Sequence, residues 1–206
     1  MFSTQRRALI VIDVQNDYVD GSICIEYPSV ELSLSNIGKA MDAARAAAIP
    51  VVVVQTILPA GAPMMAKGTR GAELHHVVGS RPRDQFLLKS FPSAFAGTGL
   101  GEWLKERGID TVTVAGYMTH NCDDATIKQA VHDGLSVEFL SDASGSVSYA
   151  NRAGNATAEE LHRALTVVLQ SRFAAVASTG EWIAAIENNT ALERDSIFGS
   201  HQRTRR

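Results

Sequence analysis

The sequence predicts an α/β fold: six mostly parallel strands in a doubly wound, Rossmann-like sheet with helices on both faces. Three observations predict it. Apolar, β-branched runs alternate along the chain with stretches of helical periodicity. Several of these runs are continuously apolar, as expected of strands buried on both faces. Polar, chemically useful residues terminate three of the runs, and the carboxyl ends of parallel strands are where ligand sites form.

Ala8 to Val14 is the first such run, with Asp13 emerging at its edge. After a loop with Gly21 and Pro28, Val30, Leu34, Ile37, Met41, Ala44 and Ala48 recur at helical spacing, which predicts an amphipathic helix stopped by Pro50. Val51 to Val54 is the second strand. Residues 57–83 hold four Gly and three Pro without a sustained period, and a loop that long is usually a lid or binding segment. Gln85 to Leu88 reads as a short strand followed by Lys89. Leu100, Trp103 and Leu104 mark a helix closed by Gly108. Thr111 to Ala115 is the next strand, leading through Gly116 to a helix from about Cys122 to Asp133. Ser136 to Leu140 is a strand, 141–155 a loop ordered by Asp142, and Thr157 with Glu160 a capping box for a helix buried through Leu161, Leu165 and Val168. Phe173 to Ala177 is the sixth strand. Ser178 with Glu181 caps a last helix carrying Trp182, Ile183 and Ile186.

At 206 residues the chain suits a single domain, 1–206, with its core at about 8–188 and a polar, basic tail at 189–206. The net charge of -3 argues against nucleic acid as a partner. Cys24 and Cys122 do not form a disulfide scaffold, so a reducing, cytoplasmic setting is expected. Met1 to Arg7 lacks the pattern of an export signal, and no apolar run approaches the roughly 20 residues needed to span a bilayer.

Asp13, Lys89 and Cys122 end or follow three different strands, so a parallel sheet would gather a base, a cation and a nucleophile at one edge. Cys122 at a helix start, facing a cleft, has two reasons to ionise. Cys24, between Ile23 and Ile25, reads as a packed thiol. Asn16 and Asp17 read as loop braces, and Tyr18, Phe91, Phe95 and Tyr117 as possible pocket walls.

Three motifs carry a family resemblance over roughly residues 8 to 180. Asp13-Val14-Gln15-Asn16-Asp17-Tyr18, Lys89-Ser90-Phe91-Pro92-Ser93-Ala94-Phe95 and Gly116-Tyr117-Met118-Thr119-His120-Asn121-Cys122 resemble those of the isochorismatase-like cysteine hydrolases, which include nicotinamidases and N-carbamoylsarcosine amidohydrolases. The resemblance implies Asp13 as acid/base, Lys89 as the supporting cation and Cys122 as nucleophile. It further implies a non-proline cis peptide at Tyr117-Met118, an oxyanion hole from the amides of Met118 and Cys122, and a homo-oligomer, dimer or tetramer, with the 57–83 loop or the tail at the contact. The function expected is metal-independent hydrolysis of a small amide, carbamoyl or ureido compound, with no cofactor. Isochorismatase-type vinyl-ether hydrolysis, which does not need the thiol, and a redox-responsive binding protein on the same scaffold are the alternatives.

Two departures from the family pattern stand out. The nicotinamidase branch has an Asp-x-His and a further His after the second strand, whereas this chain has Gln55-Thr56-Ile57 and only the adjacent His75 and His76, whose side chains are expected to diverge; no metal is expected. Asp123-Asp124 replaces an apolar continuation after Cys122. Two carboxylates suit the start of a helix, and equally a carboxylate beside the thiol would raise its pKa and disfavour anionic substrates.

Overall fold

In the computed structural model, which describes residues 5–205, the alternating runs form one sheet of six strands in the order β3-β2-β1-β4-β5-β8, every neighbouring pair parallel. The strands are β1 (Arg7–Ile12), β2 (Val51–Thr56), β3 (Gln85–Lys89), β4 (Thr111–Tyr117), β5 (Ser136–Gly145) and β8 (Ala175–Ala177). The helices are α1 (Val30–Ala46), the single turn α2 (His76–Gly79), α3 (Leu100–Glu106), α4 (Asp124–His132), α5 (Ala158–Arg172), α6 (Thr179–Glu187) and α7 (Ile197–Arg203).

The period of two along each strand sorts side chains onto two cores. Leu9, Val11, Val51 and Val53 join Leu34, Ile37 and Met41 of α1 and Trp182 of α6 on one face. Ala8, Ile10, Ile12, Val52 and Val54 join Leu100 and Leu104 of α3, Ile127 of α4 and Leu169 of α5 on the other. Both faces being apolar explains why these strands read as continuous hydrophobic runs. Across the amino-terminal end of the sheet, Glu138 of β5 pairs with Arg7 at 2.9 Å and accepts from Thr113 and Trp182, so a charge buried in the core is fully hydrogen-bonded.

Several elements depart from the sequence reading. Residues 141–155 are not a loop: β5 runs on to Gly145, and β6 (Tyr149–Asn151) pairs antiparallel with β7 (Gly154–Ala156). Asp142 accepts from the amide and hydroxyl of Thr179 at 2.7 Å, capping α6 rather than ordering a loop. Both capping boxes form, but α5 buries His162 and Leu169 while Val168 is exposed, because the face presented to the sheet is rotated from the one predicted. α1 ends at Ala46, two residues short of Ala48. The sixth strand starts at Ala175, not Phe173, and the tail is part helical, through α7. Met1 to Thr4 and Arg206, covered by the leader and tail readings, lie outside the described residues. None of the described helices is long and apolar enough to cross a membrane.

Candidate active site

Three strands deliver the side chains of the site to the carboxyl edge of the sheet. Asp13 follows β1 with φ of 51°, its amide donating to Val54 O at 2.9 Å, so the chain turns at this residue and the carboxylate is fully buried. Lys89 ends β3, and its ammonium lies 2.7 Å from Asp13 Oδ2 and 3.3 Å from Cys122 Sγ. Cys122 sits in a five-residue π-type turn, Thr119–Asp123, entered through a cis peptide at Tyr117-Met118. Sequence reasoning missed Thr56. Its hydroxyl donates to Asp13 Oδ2 at 3.0 Å and accepts from Lys89 at 2.8 Å, and its position two residues past the apolar run Val51 to Val54 was the available signal. Gln15, buried behind it, bonds the backbone of Thr56 and Ala72 and ties the strand ends to the following loop.

A cleft of about 150 Å³ opens onto Cys122 and Lys89. Tyr18 and Phe91 line it as expected, with Phe91 60% exposed at the rim. Tyr117 and Phe95 are not among its lining residues. Tyr117 is fully buried with its hydroxyl 2.7 Å from Ser33 of α1, and Phe95 packs into the core beside α3, because both point away from the edge. The wall opposite comes from the 57–83 segment, which folds back through Leu58 N to Met65 O (3.0 Å) and Lys67 N to Leu58 O (2.9 Å) and contributes Leu58, Met64 and Met65. Asp17 holds that wall by accepting from Met65 N at 2.5 Å and from Ser22, and Asn16 donates to Arg70 O at 2.9 Å; these are the bracing roles read from the sequence. Cys24 contradicts its reading, since it is exposed, not packed. His75 and His76 do not diverge; their rings lie 4.2 Å apart because the His75 ring folds back to cap α2. Among the described residues, no group of three His, Cys, Asp or Glu side chains is placed to hold a metal ion.

The isochorismatase domain family matches residues 7–181. This chain belongs to that family. A solved isochorismatase-like protein of Burkholderia xenovorans LB400 superimposes on it with a TM-score of 0.98 at 64% identity, over 98% of both chains. The isochorismatase family protein YddQ of Bacillus subtilis is 32% identical over 84% of this chain and 96% of its own length. A secreted isochorismatase effector, Isc1, of Verticillium dahliae is 35% identical over 69% of this chain and 74% of its own. Hydrolases named as amidohydrolases are among its relatives: a ureidoacrylate amidohydrolase of Methylobacterium radiotolerans is 26% identical and a nicotinamidase/pyrazinamidase of Mycobacterium tuberculosis 28% identical.

Electrostatics in this isochorismatase-family site reverse one sequence expectation. Burial pushes the Cys122 thiol up, the Asp13 charge adds to that, and Lys89 offsets only part of it, so the resting thiol is neutral. Cys122 does face the cleft, but the helix proper starts only at Asp124 and the thiol is 7% exposed, so burial outweighs both reasons given for ionisation. Burial also raises the Asp13 carboxyl, against the opposing pull of Lys89. For Lys89, burial pulls down, but Asp13 and Cys122 outweigh it and the ammonium is held charged. Asp13 Oδ1 has no hydrogen-bond partner among the described residues, so one oxygen of the base is free to take a proton.

Asp123 and Asp124 separate in the fold. Asp124 pairs with Lys128 one turn along α4 at 2.7 Å. Asp123 is wholly buried and joins a polar chain: its Oδ2 accepts from Ser144 (2.6 Å), whose hydroxyl meets Thr119 (2.6 Å), which in turn meets His162 Nδ1 (2.9 Å). Burial pushes the Asp123 carboxyl up to about 7, with Ser144 opposing and Asp13 and Asp124 reinforcing the rise.

Proposed function

We propose that this chain is a metal-independent cysteine hydrolase that cleaves the C–N bond of a small amide, carbamoyl or ureido compound through a thioester at Cys122. The observation that carries the reading is the Lys89 ammonium placed between the Asp13 carboxylate and the Cys122 sulfur. A neutral thiol needs a base at the moment of attack, and Asp13 is that base. The thiol proton passes to Asp13 as sulfur bonds the substrate carbonyl carbon. The resulting oxyanion is held by the amides of Met118 and Cys122, a kind of contact commonly worth about 3 to 4 kcal/mol per donor. Asp13 then returns the proton to nitrogen, the C–N bond breaks, and ammonia or an amine leaves. Water attacks the thioester with Asp13 taking its proton, the carboxylate product departs, and sulfur regains a proton from Asp13. Lys89 keeps the base ionised and oriented between these transfers.

Relatives named streptothricin hydrolase (34% identical), ureidoacrylate amidohydrolase (26%) and nicotinamidase/pyrazinamidase (28%) support C–N cleavage over the vinyl-ether alternative, which has no use for the thiol. The test is ammonia release from a panel of small amides by the wild type and Cys122→Ala, with and without EDTA. Loss of activity in the variant and indifference to EDTA are expected. Release that survives loss of the thiol would overturn the mechanism.

A further inference from the structure

The cleft that admits substrate to Cys122 is walled by Tyr18, Leu58, Met64, Met65, Phe91 and Pro92, with Asn121 and Ser90 as uncharged polar groups. Lys89 is the one cation among its lining residues, and its ammonium is consumed: it faces Asp13 at 2.7 Å, Thr56 at 2.8 Å, the Phe91 carbonyl at 3.1 Å and Cys122 at 3.3 Å. Outside the lining, Lys128 is paired with Asp124 and Arg70 forms a two-pronged pair with Asp20, while Lys67 is exposed beyond the wall residue Met65. Behind the nucleophile lies a further buried acid, Asp123, with no basic side chain among its hydrogen-bond partners. A substrate carboxylate entering this cleft would lose water and find no unengaged cation among the lining residues to replace it. The volume of about 150 Å³, with a hollow of about 220 Å³ adjoining it across Lys89, Ser90 and Phe91, suits a small ligand.

We propose that the cleft selects small, uncharged amides with an apolar acyl group and rejects those that carry a carboxylate. The proposal rests on Cys122 being the reacting group. Its basis is the full engagement of Lys89, the one cation among the lining residues, together with an apolar wall supplied by the 58–65 segment. Leu58, Met64 and Met65 then decide specificity, and Asn121 at the mouth is the polar group available to the leaving nitrogen.

Alkylation of Cys122 reads this selection without any knowledge of the natural substrate. Iodoacetamide and iodoacetate differ in charge; in each case sulfur displaces iodide as the C–S bond forms and the thiol proton leaves to solvent. In a Cys24→Ser protein, with rates followed by intact mass and normalised to 2-mercaptoethanol, iodoacetate is expected to react at least about tenfold more slowly than iodoacetamide. Met64→Lys is expected to close most of that gap by supplying the missing cation. In parallel, kcat/KM for butyramide should exceed that for succinamate, which carries a carboxylate in place of the terminal methyl, by at least about tenfold. Equal normalised alkylation rates, a gap unmoved by Met64→Lys, or preference for succinamate would each overturn the proposal. If alkylation discriminates by charge but neither amide is cleaved, charge selection stands and the hydrolase reading is what fails.

Discussion

Thr56 and Lys89 stand opposite each other in the β2–β3 register, and their side chains meet at 2.8 Å while the Thr56 hydroxyl donates its own hydrogen bond to Asp13. Thr56 thereby fixes the angle between base and cation. Thr56→Val keeps the volume and removes the hydroxyl, so Asp13 and Lys89 each lose one of their buried hydrogen bonds, a cost of about 1 to 3 kcal/mol. The variant should fold with unchanged far-UV circular dichroism and lose about tenfold or more in kcat. Steady-state kinetics beside a urea titration checks both halves.

Lys89 and Asp13 form an ion pair whose side chains are 1% and 0% exposed, so each depends on the other for solvation. Lys89→Met would strand a carboxylate in the interior, and breaking such a pair from one side typically costs about 3 to 5 kcal/mol. Without the ammonium, burial acts on Asp13 with its largest opponent gone and drives it further above the carboxylate range. Urea midpoints measured at two pH values should therefore show Lys89→Met closest to wild type at low pH, where Asp13 is protonated, and increasingly destabilised as pH rises. Asp13→Leu with Lys89→Met, which removes both charges, should recover much of the stability and none of the activity.

What the sequence made legible was whatever depends on runs and edges. Continuous apolar strands, helical spacing and two capping boxes located the six strands and most of the helices, and terminal residues of runs located Asp13, Lys89 and Cys122. Orientation within the site was hidden. Tyr117 and Tyr18 are both aromatic residues within the motifs, yet one hydrogen-bonds α1 and the other faces the cleft, a distinction set by tertiary packing alone. The hairpin of β6 and β7 was missed because its three-residue strands, Tyr-Ala-Asn and Gly-Asn-Ala, hold no β-branched residue and are mostly exposed. The state of Cys122 was misread because a sequence gives the helix start but not the depth of burial around it.

Gly116 pairs with Ile12 between β4 and β1 and has φ of 120°, a region that L side chains rarely adopt. A Cβ there would collide with the Ile12 carbonyl oxygen and lie 2.7 Å from its nitrogen. The two central strands must approach this closely for Asp13 and the Cys122 turn to share one cleft. Gly116→Ala is expected to destabilise by more than about 2 kcal/mol through strain and displaced backbone. Thermal unfolding should show the loss, and any folded fraction should have little activity, while Gly180→Ala, where nothing lies within 4 Å, serves as the neutral control.

Asp123 makes stability depend on pH in the direction opposite to most carboxylates. Its folded pKa is raised to about 7 by burial from 3.8, so the folded state holds a proton that the unfolded chain releases. The stabilisation linked to that proton is present below the unfolded value and is lost as pH rises toward and through about 7. His162, at the far end of the same chain of hydroxyls, is pushed down to about 4 by burial, so its contribution is present above the ordinary histidine range and is lost as pH falls through it. The two are separable by substitution. Asp123→Asn keeps a group able to hydrogen-bond Ser144 but cannot ionise, so its stability relative to wild type should improve between pH 5 and pH 8 by more than about 1 kcal/mol, a displacement of one pKa unit being worth about 1.4 kcal/mol. Urea unfolding of both proteins across that range measures it. A parallel pair of curves would mean that Asp123 keeps the same proton count folded and unfolded, and that the buried acid behind the nucleophile is already ionised.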